Sequence, residues 1–474
     1  MGNQGTLSPE DGLRARLDGD IVLTGEATAR YCRDWHGDVT SDAVAVLRPR
    51  NTAEVSACVV AAAELGLGIV PQGGNTGLVL GGVPDAPARQ LVLSLERLNR
   101  IRQIDADDFS AVVEAGVVLE AFKQQVDGAG LFFPLALGAQ GTCQIGGNVS
   151  TNAGGLNVLR YGMMREMVLG LEVVLPDGTV FDGLTRLRKD NRGIDLKQLF
   201  IGAEGTLGIV TAASVKLLPR PEKTATALLA LNRLEDVITL YRRARHDCCD
   251  LMSAFEFMPP LAMVLAREAI PDLPMPLAGD YPAYALMEIS GSGLVDIDGL
   301  MEQFLESAIE SGLVVDGVVA QSTTQARNLW LIREGMNEGQ ARRGKHLRTD
   351  LSVPLSRLAD FVTEAEAALA GAMPGAVCVS YGHVGDGNVH LNVFPDPSHG
   401  PDTVDAQIHQ AKKIIGAVLA GYCGSISAEH GIGRLKRPEF EAELTDVRRN
   451  LLNAIRQAVD PQGIMNPACQ ISPR

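Results

Sequence analysis

Two histidines, His383 and His390, flank Asp386-Gly387 in the run Tyr381-Gly-His383-Val-Gly-Asp-Gly-Asn-Val-His390-Leu-Asn392. No other segment of the chain constrains its fold as tightly. Asp-Gly is a favoured two-residue hairpin turn, because it tolerates the positive φ angles that turn demands. Placed centrally, it predicts an antiparallel hairpin in which His383 and His390 lie opposite each other on adjacent strands, side chains on one face. His390 and Asn392, two residues apart, share that face. Further on, Ser427-Ala-Glu429-His430-Gly431-Ile-Gly433 offers a carboxylate. Glu429 completes a two-histidine, one-carboxylate set with positions left for water or substrate, which suits a divalent transition metal.

With 474 residues, 46% of them hydrophobic, the chain can build two or three domains with real cores. Its 42 basic against 57 acidic side chains leave a charge of −15, which argues against nucleic acid or an anionic membrane as partner. Eight cysteines are scattered without a CxxC spacing. They read as reduced thiols, signalling neither a disulfide scaffold nor an iron–sulfur site. Residues 1–10 are polar, without a basic stretch or an apolar core, so no signal peptide is read and cytoplasmic residence is expected. The most apolar early run, residues 55–70, is interrupted by Glu64 and two glycines; it reads as a helix running into a strand, with no membrane span.

Up to Pro221 short β-branched runs (residues 43–47, 91–95, 111–115 and 171–175) alternate with helical pieces. Pro219-Arg220-Pro221 reads as a stiff linker. Beyond it, longer helices are predicted over residues 294–312, 324–344 and 355–370, interleaved with strands, and a terminal amphipathic helix over 444–459. The first region carries two glycine-rich loops. One is Gln72-Gly73-Gly74-Asn75-Thr76-Gly77. The other starts at Gly138-Ala-Gln-Gly141-Thr142-Cys143-Gln-Ile-Gly146-Gly147-Asn148 and continues to Thr151-Asn152-Ala153-Gly154-Gly155. Such loops let backbone N–H groups converge on an anion without a lysine. Two of them suit a diphosphate with a nucleotide on one side and a second ring system on the other; tight turns in a glycine-rich domain are the other reading. No GxGxxG follows a predicted strand, so a Rossmann site is unsupported. Gly339 to Lys345 mimics a P-loop, but His346 stands where a hydroxyl should meet magnesium.

The glycine loops, Phe200-Ile-Gly-Ala-Glu204-Gly-Thr-Leu-Gly208-Ile209-Val210, the histidine hairpin and Glu429-His430 together resemble FAD-linked D-2-hydroxy-acid dehydrogenases of the vanillyl-alcohol-oxidase superfamily. The resemblance is closest to the D-2-hydroxyglutarate and D-lactate dehydrogenase branch. It implies an α+β protein: a two-subdomain PCMH-type FAD-binding domain over residues 1–221, then an α+β substrate (cap) domain with a central antiparallel sheet over 222–422. Residues 423–474 would return to the FAD domain. Carried over by position, Gln72, Gly73, Gly74, Asn75, Thr76 and Gly77 would hold the pyrophosphate and ribityl chain. Gly138, Gly141, Thr142, Gly146, Gly147, Thr151, Asn152 and Gly154 would share that task. Glu204 and Gly208 belong to the same site, Ile209 and Val210 would meet the adenine end, and Asn466 would lie near the flavin. Relatives with covalent flavin place a histidine in the first loop; Asn75 there implies non-covalent FAD.

The resemblance also assigns chemistry. An alcohol proton is far too weakly acidic at neutral pH unless a metal polarises the oxygen. His383, His390 and Glu429 would hold that ion, zinc or manganese, and His430 would be the general base. Arg333 and Asn337, at i and i+4 on one helix face, suit a substrate carboxylate, Asn392 would contact the substrate, and Arg348 would meet a distal carboxylate. Dicarboxylate-using relatives have threonine and lysine where Asn337 and Arg348 stand. Arginine and lysine differ in geometry, so the choice among hydroxyglutarate, malate and another D-2-hydroxy acid stays open, as does a solvated surface role for Arg348. The implied reaction gives the 2-oxo acid, with hydride to flavin N5 and electrons to an external electron-transfer flavoprotein or quinone-linked carrier. A D-lactate dehydrogenase or glycolate oxidase subunit is the same-family alternative. A non-redox flavoprotein like alkyl-dihydroxyacetone-phosphate synthase is the alternative from another class. Family members are often dimers, and a homodimer is carried as an expectation.

Overall fold

The β-branched runs of the N-terminal region build two sheets of different character. A computed structural model describes residues 8–87 and 89–471. The chain divides into two compact units, one of Met1–Gly155, Met163–Arg220 and Glu429–Arg474, the other of Leu156–Gly162 and Pro221–Ala428. In the first unit, strand Gln90–Ser94 is buried along its whole length, as befits the middle of a sheet covered on both faces. It lies between the parallel strands Val46–Leu47 and Gly68–Gln72, with Val22–Leu23 antiparallel at one edge. Helix Thr52–Glu64, capped by the Asn51 side chain on the Glu54 N–H, supplies the crossover. The C-terminal segment closes the other edge, Ile464 accepting from Ile69 N–H. The second sheet is antiparallel, in the order Ile101–Asp105, Ser110–Glu114, Ile209–Lys216, Val168–Val174, Val180–Gly183.

The second unit is built on one seven-stranded antiparallel sheet. Its order is Asp316–Val319, Lys223–Leu231, Ala283–Gly291, Met252–Met258, Val377–His383, Asn388–Phe394, Leu351–Ser352. Alternation sorts each strand between two cores. Ala227, Leu229, Phe255, Phe257, Leu391 and Val393 pack on one side with helices Leu234–Cys248, Ile297–Glu310 and Leu358–Ala372. Leu228, Met258, Leu286, Val379 and Tyr381 pack on the other with helices Leu261–Ala269 and Thr323–Arg342. The last two helices cross closely because of Gly339: a Cβ there would stand 2.1 Å from the Leu265 carbonyl oxygen. Among the described residues no helix is long and apolar enough to cross a membrane.

The histidine hairpin forms between strands Val377–His383 and Asn388–Phe394, but not in the register that a two-residue turn dictates. His390 lies opposite Tyr381. His383 is its diagonal neighbour on the same face. The connection is the longer Val384–Gly387, a short 3₁₀ turn over Val384–Asp386 closed by Gly387 at φ 76°. Asp386 uses its carboxylate to accept from the Asn388 N–H at 3.1 Å, and the Gly387 carbonyl accepts from Val353 N–H. That long-range bond moves the register by two residues. It also explains the glycine, since a Cβ at 387 would stand 2.3 Å from the Val353 oxygen in a left-handed backbone.

Gly387→Ala is therefore expected to cost about 2 kcal/mol or more and to lower the melting temperature. Gly416→Ala, at an exposed helical site where a Cβ meets nothing, is expected to leave it unchanged or raise it slightly. Equal melts for the two variants would contradict the register argument.

Candidate active site

The polar cluster of the second unit grows from a single acid in an otherwise apolar strand, Phe255-Glu256-Phe257. Strand pairing sets Glu256 opposite His383, and alternation turns both toward helix Thr323–Arg342. Glu256 is fully buried and accepts from His383 Nδ1 at 2.5 Å and from Arg333 Nε at 3.0 Å. Burial pushes its carboxyl up, but the neighbouring His383 and Arg333 more than offset that and hold it below the ordinary glutamate range. The Arg333 guanidinium lies 4.6 Å over the Tyr381 ring, whose other neighbour is the His390 ring at 5.0 Å. His390 Nδ1 is 2.9 Å from the Thr349 carbonyl. A carbonyl and a carboxylate can only accept, so both imidazoles carry a proton on Nδ1, which in the neutral ring leaves the lone pair on Nε2. The two rings are 5.8 Å apart. Two neighbouring imidazoles fixed in one tautomer are the donor set a divalent metal takes. The residues fit such an ion.

Asn392 is buried and committed within the protein. Its Nδ2 donates to Gln340 at 2.9 Å and to Tyr381 at 3.2 Å, and its Oδ1 accepts from Thr349 N–H at 3.0 Å. Asn337 and Arg348 are exposed. Among the described residues Arg348 makes no ion pair.

In the first unit the glycine loops line one cavity, formed by residues 71–77, 79–83, 143–144, 146–148, 150–151, 204–205 and 208–210, with His430 at its wall. Gly74 lets the two loops touch, because a Cβ there would stand 2.1 Å from the Thr142 oxygen. Among the described residues the N–H groups of Gly74, Asn75, Thr76 and Gly77 reach no protein acceptor. Buried Gln144 Oε1 and Asn148 Oδ1, in the same wall, have no donor among the described residues. A ligand with anionic oxygens and with O–H or N–H donors satisfies both sets. FAD, with its pyrophosphate, ribityl hydroxyls and ring N–H, is such a ligand.

Several residues expected to touch cofactor are busy holding the cavity's shape. Gln72 donates to the Tyr31 and Gly82 carbonyls, Asn75 to Arg33, and Asn466 to Gly81 and Glu204. Glu204 accepts from Ile432 N–H at 2.9 Å and Gly433 N–H at 2.8 Å, which fixes the turn after His430. Glu429 accepts from Gly155 N–H at 2.8 Å. Gly138, Gly141, Thr142, Asn152, Gly154 and Asn466 are not in the cavity wall, whereas Gln144 and Asn148 are. Sequence reasoning passed over Glu256, Gln340 and Thr349. A lone acid between two phenylalanines was the available signal for the first.

Residues 43–183 match the FAD binding domain, and residues 220–469 match the FAD linked oxidases, C-terminal domain. The mitochondrial D-2-hydroxyglutarate dehydrogenase of Bos taurus is 41% identical over 469 residues, covering 97% of this chain and 83% of the relative. The chain belongs to the FAD-linked D-2-hydroxy-acid dehydrogenase family. A probable mitochondrial D-2-hydroxyglutarate dehydrogenase of Oryza sativa subsp. indica is likewise 41% identical, over 95% of this chain and 79% of the relative. The D-2-hydroxyglutarate–pyruvate transhydrogenase of Saccharomyces cerevisiae is 36% identical, over 96% and 92%. Among solved structures, 4-ethylphenol oxidase from Gulosibacter chungangensis aligns with a TM-score of 0.78 at 18% identity, over 100% of this chain and 99% of that one. A substrate-bound p-cresol methylhydroxylase aligns with a TM-score of 0.75 at 17% identity, over 98% and 96%. The fold is thus the α+β, PCMH-type architecture of this FAD-dependent oxidoreductase family. Cytoplasmic residence does not stand: the cattle and rice relatives are named as mitochondrial proteins. A polar start does not report compartment, since compartment signals are read by receptors and leave no mark on the fold; residues 1–7 also lie outside the described residues.

Asn392→Leu would leave Gln340, Tyr381 and the Thr349 N–H without their partner, a loss of about 3 kcal/mol. The melting temperature is expected to fall by roughly 5–10 °C in a thermal scan, and an unchanged melt would show that these bonds are not formed.

Proposed function

We propose that the protein oxidises a D-2-hydroxy acid, D-2-hydroxyglutarate or a malate-like dicarboxylate, to the 2-oxo acid and passes the electrons to an external acceptor, a flavoprotein or a quinone-linked carrier. The observation that carries this reading is the Glu256 junction, which joins a buried arginine to an imidazole pair poised for a metal. Arg333 is tied to Glu256 only through Nε, so the outer edge of its guanidinium is the part suited to a two-pronged carboxylate contact. Arg348, exposed and without an acidic partner among the described residues, supports a role at a distal carboxylate, and Asn337 supports an additional hydrogen bond. His430, in the wall of the glycine-lined cavity, takes the hydroxyl proton. Non-covalent FAD supplies the hydride acceptor when bound. A zinc or manganese ion held by His383, His390 and Glu429 supplies the Lewis acidity that makes the hydroxyl proton removable.

Anaerobic mixing of the FAD-loaded protein with D-2-hydroxyglutarate, D-malate, D-lactate and glycolate tests the substrate. The dicarboxylates should bleach the flavin, and Arg348→Met should raise their KM by roughly 10-fold or more while changing D-lactate little. Bleaching by D-lactate or glycolate alone would remove Arg348 from the site, and bleaching by none would favour non-redox chemistry. His390→Ala should lose metal and turnover and stay yellow; loss of FAD as well would assign the residue a structural role.

A further inference from the structure

The proposed reading rests on the Glu256 junction but gives Glu256 itself no step. Its side chain is only 1% exposed and touches two residues that do have roles there. A carboxylate so placed is expensive to bury unless its hydrogen bonds are satisfied. Its two oxygens are divided between them: Oε1 receives His383 Nδ1 and Oε2 receives Arg333 Nε. Both partners are also held from elsewhere. Arg333 rides on helix Thr323–Arg342 and is stacked on Tyr381, and His383 ends strand Val377–His383 directly opposite Glu256.

We infer that Glu256 is a positioning residue that fixes the His383 tautomer and the Arg333 guanidinium as one unit, so that metal affinity and substrate-carboxylate affinity depend on a single carboxylate. This rests on reading His383 as a metal ligand. The argument follows from donor and acceptor capacities. Arg333 Nε–H can only donate, so in Glu256→Gln the new amide must turn its oxygen toward Arg333. Its NH₂ then faces His383 Nδ1, which must become the acceptor. The proton moves to Nε2, and the nitrogen that would bind metal is blocked. Glu256→Asp keeps an acceptor for both partners and loses only reach.

The test is Zn²⁺ titration of chelator-treated, FAD-loaded full chain, with flavin absorbance giving FAD content and, separately, the affinity for 2-oxoglutarate. Zn²⁺ affinity should fall in the order wild type, Glu256→Asp, Glu256→Gln, with the glutamine variant weaker by roughly 10- to 100-fold at unchanged FAD content. Affinity for 2-oxoglutarate should fall in Glu256→Asp, whose shorter reach loosens Arg333, and less in Glu256→Gln, whose amide oxygen still accepts from Arg333. A packing role gives the opposite Zn²⁺ order, since glutamine preserves the volume and aspartate leaves a void; that order, or equal Zn²⁺ affinities, overturns the inference. Should the glutamine variant fail to accumulate as yellow protein, the aspartate variant decides: weakened Zn²⁺ binding with FAD retained supports the role, and wild-type affinity overturns it. Wild-type protein that binds Zn²⁺ at no defined stoichiometry would instead sink the metal reading on which the inference stands.

Discussion

A carboxylate sealed between a guanidinium and an imidazole governs the second unit. Glu256 is buried away from solvent, so both partners must arrive in register and at hydrogen-bond distance, or the charge becomes strongly destabilising. That requirement reaches into the backbone. It calls for His383 directly across the sheet, which the Met252–Met258 and Val377–His383 pairing supplies. It calls for a helix over the same face, Thr323–Arg342, whose close packing on helix Leu261–Ala269 Gly339 permits. The sheet's other face is largely apolar and anchors the arrangement without competing for the polar groups.

The first unit follows a complementary logic. Where the sheet face closes around a charge, the glycine loops leave amides unpaired among the described residues and arrange polar side chains to hold the loops open. Gln72, Asn75 and Asn466 donate to carbonyls of neighbouring loops, and Glu204 ties down the turn after His430. The result is a cavity whose backbone donors and two orphaned acceptors wait for a ligand with both kinds of group. Amide and hydroxyl side chains in a cofactor loop are thus as much scaffold as contact.

What the residues revealed before the fold was seen divides along the same line. Local chemistry was legible: glycine-dense loops, an apolar run leading from helix Thr52–Glu64 into strand Gly68–Gln72, and the shared face of His383 and His390. The hairpin register was not, because it depends on the Val353 bond to Gly387, more than thirty residues away in sequence. Glu256 stood out only as a lone acid between two phenylalanines, and its role was not legible for the same reason. Its partners stand 77 and 127 positions along the chain, and only the sheet brings them together. Compartment was misread because it is not a property of packing at all.

The account's central claim, that the imidazole pair offers Nε2 to a metal, is tested most directly by X-ray absorption at the zinc K-edge on the zinc-loaded, FAD-containing protein. It predicts two imidazole nitrogens at about 2.0–2.1 Å, with oxygen completing the shell and no sulfur. A sulfur neighbour at about 2.3 Å, or a shell of oxygen alone, would contradict it.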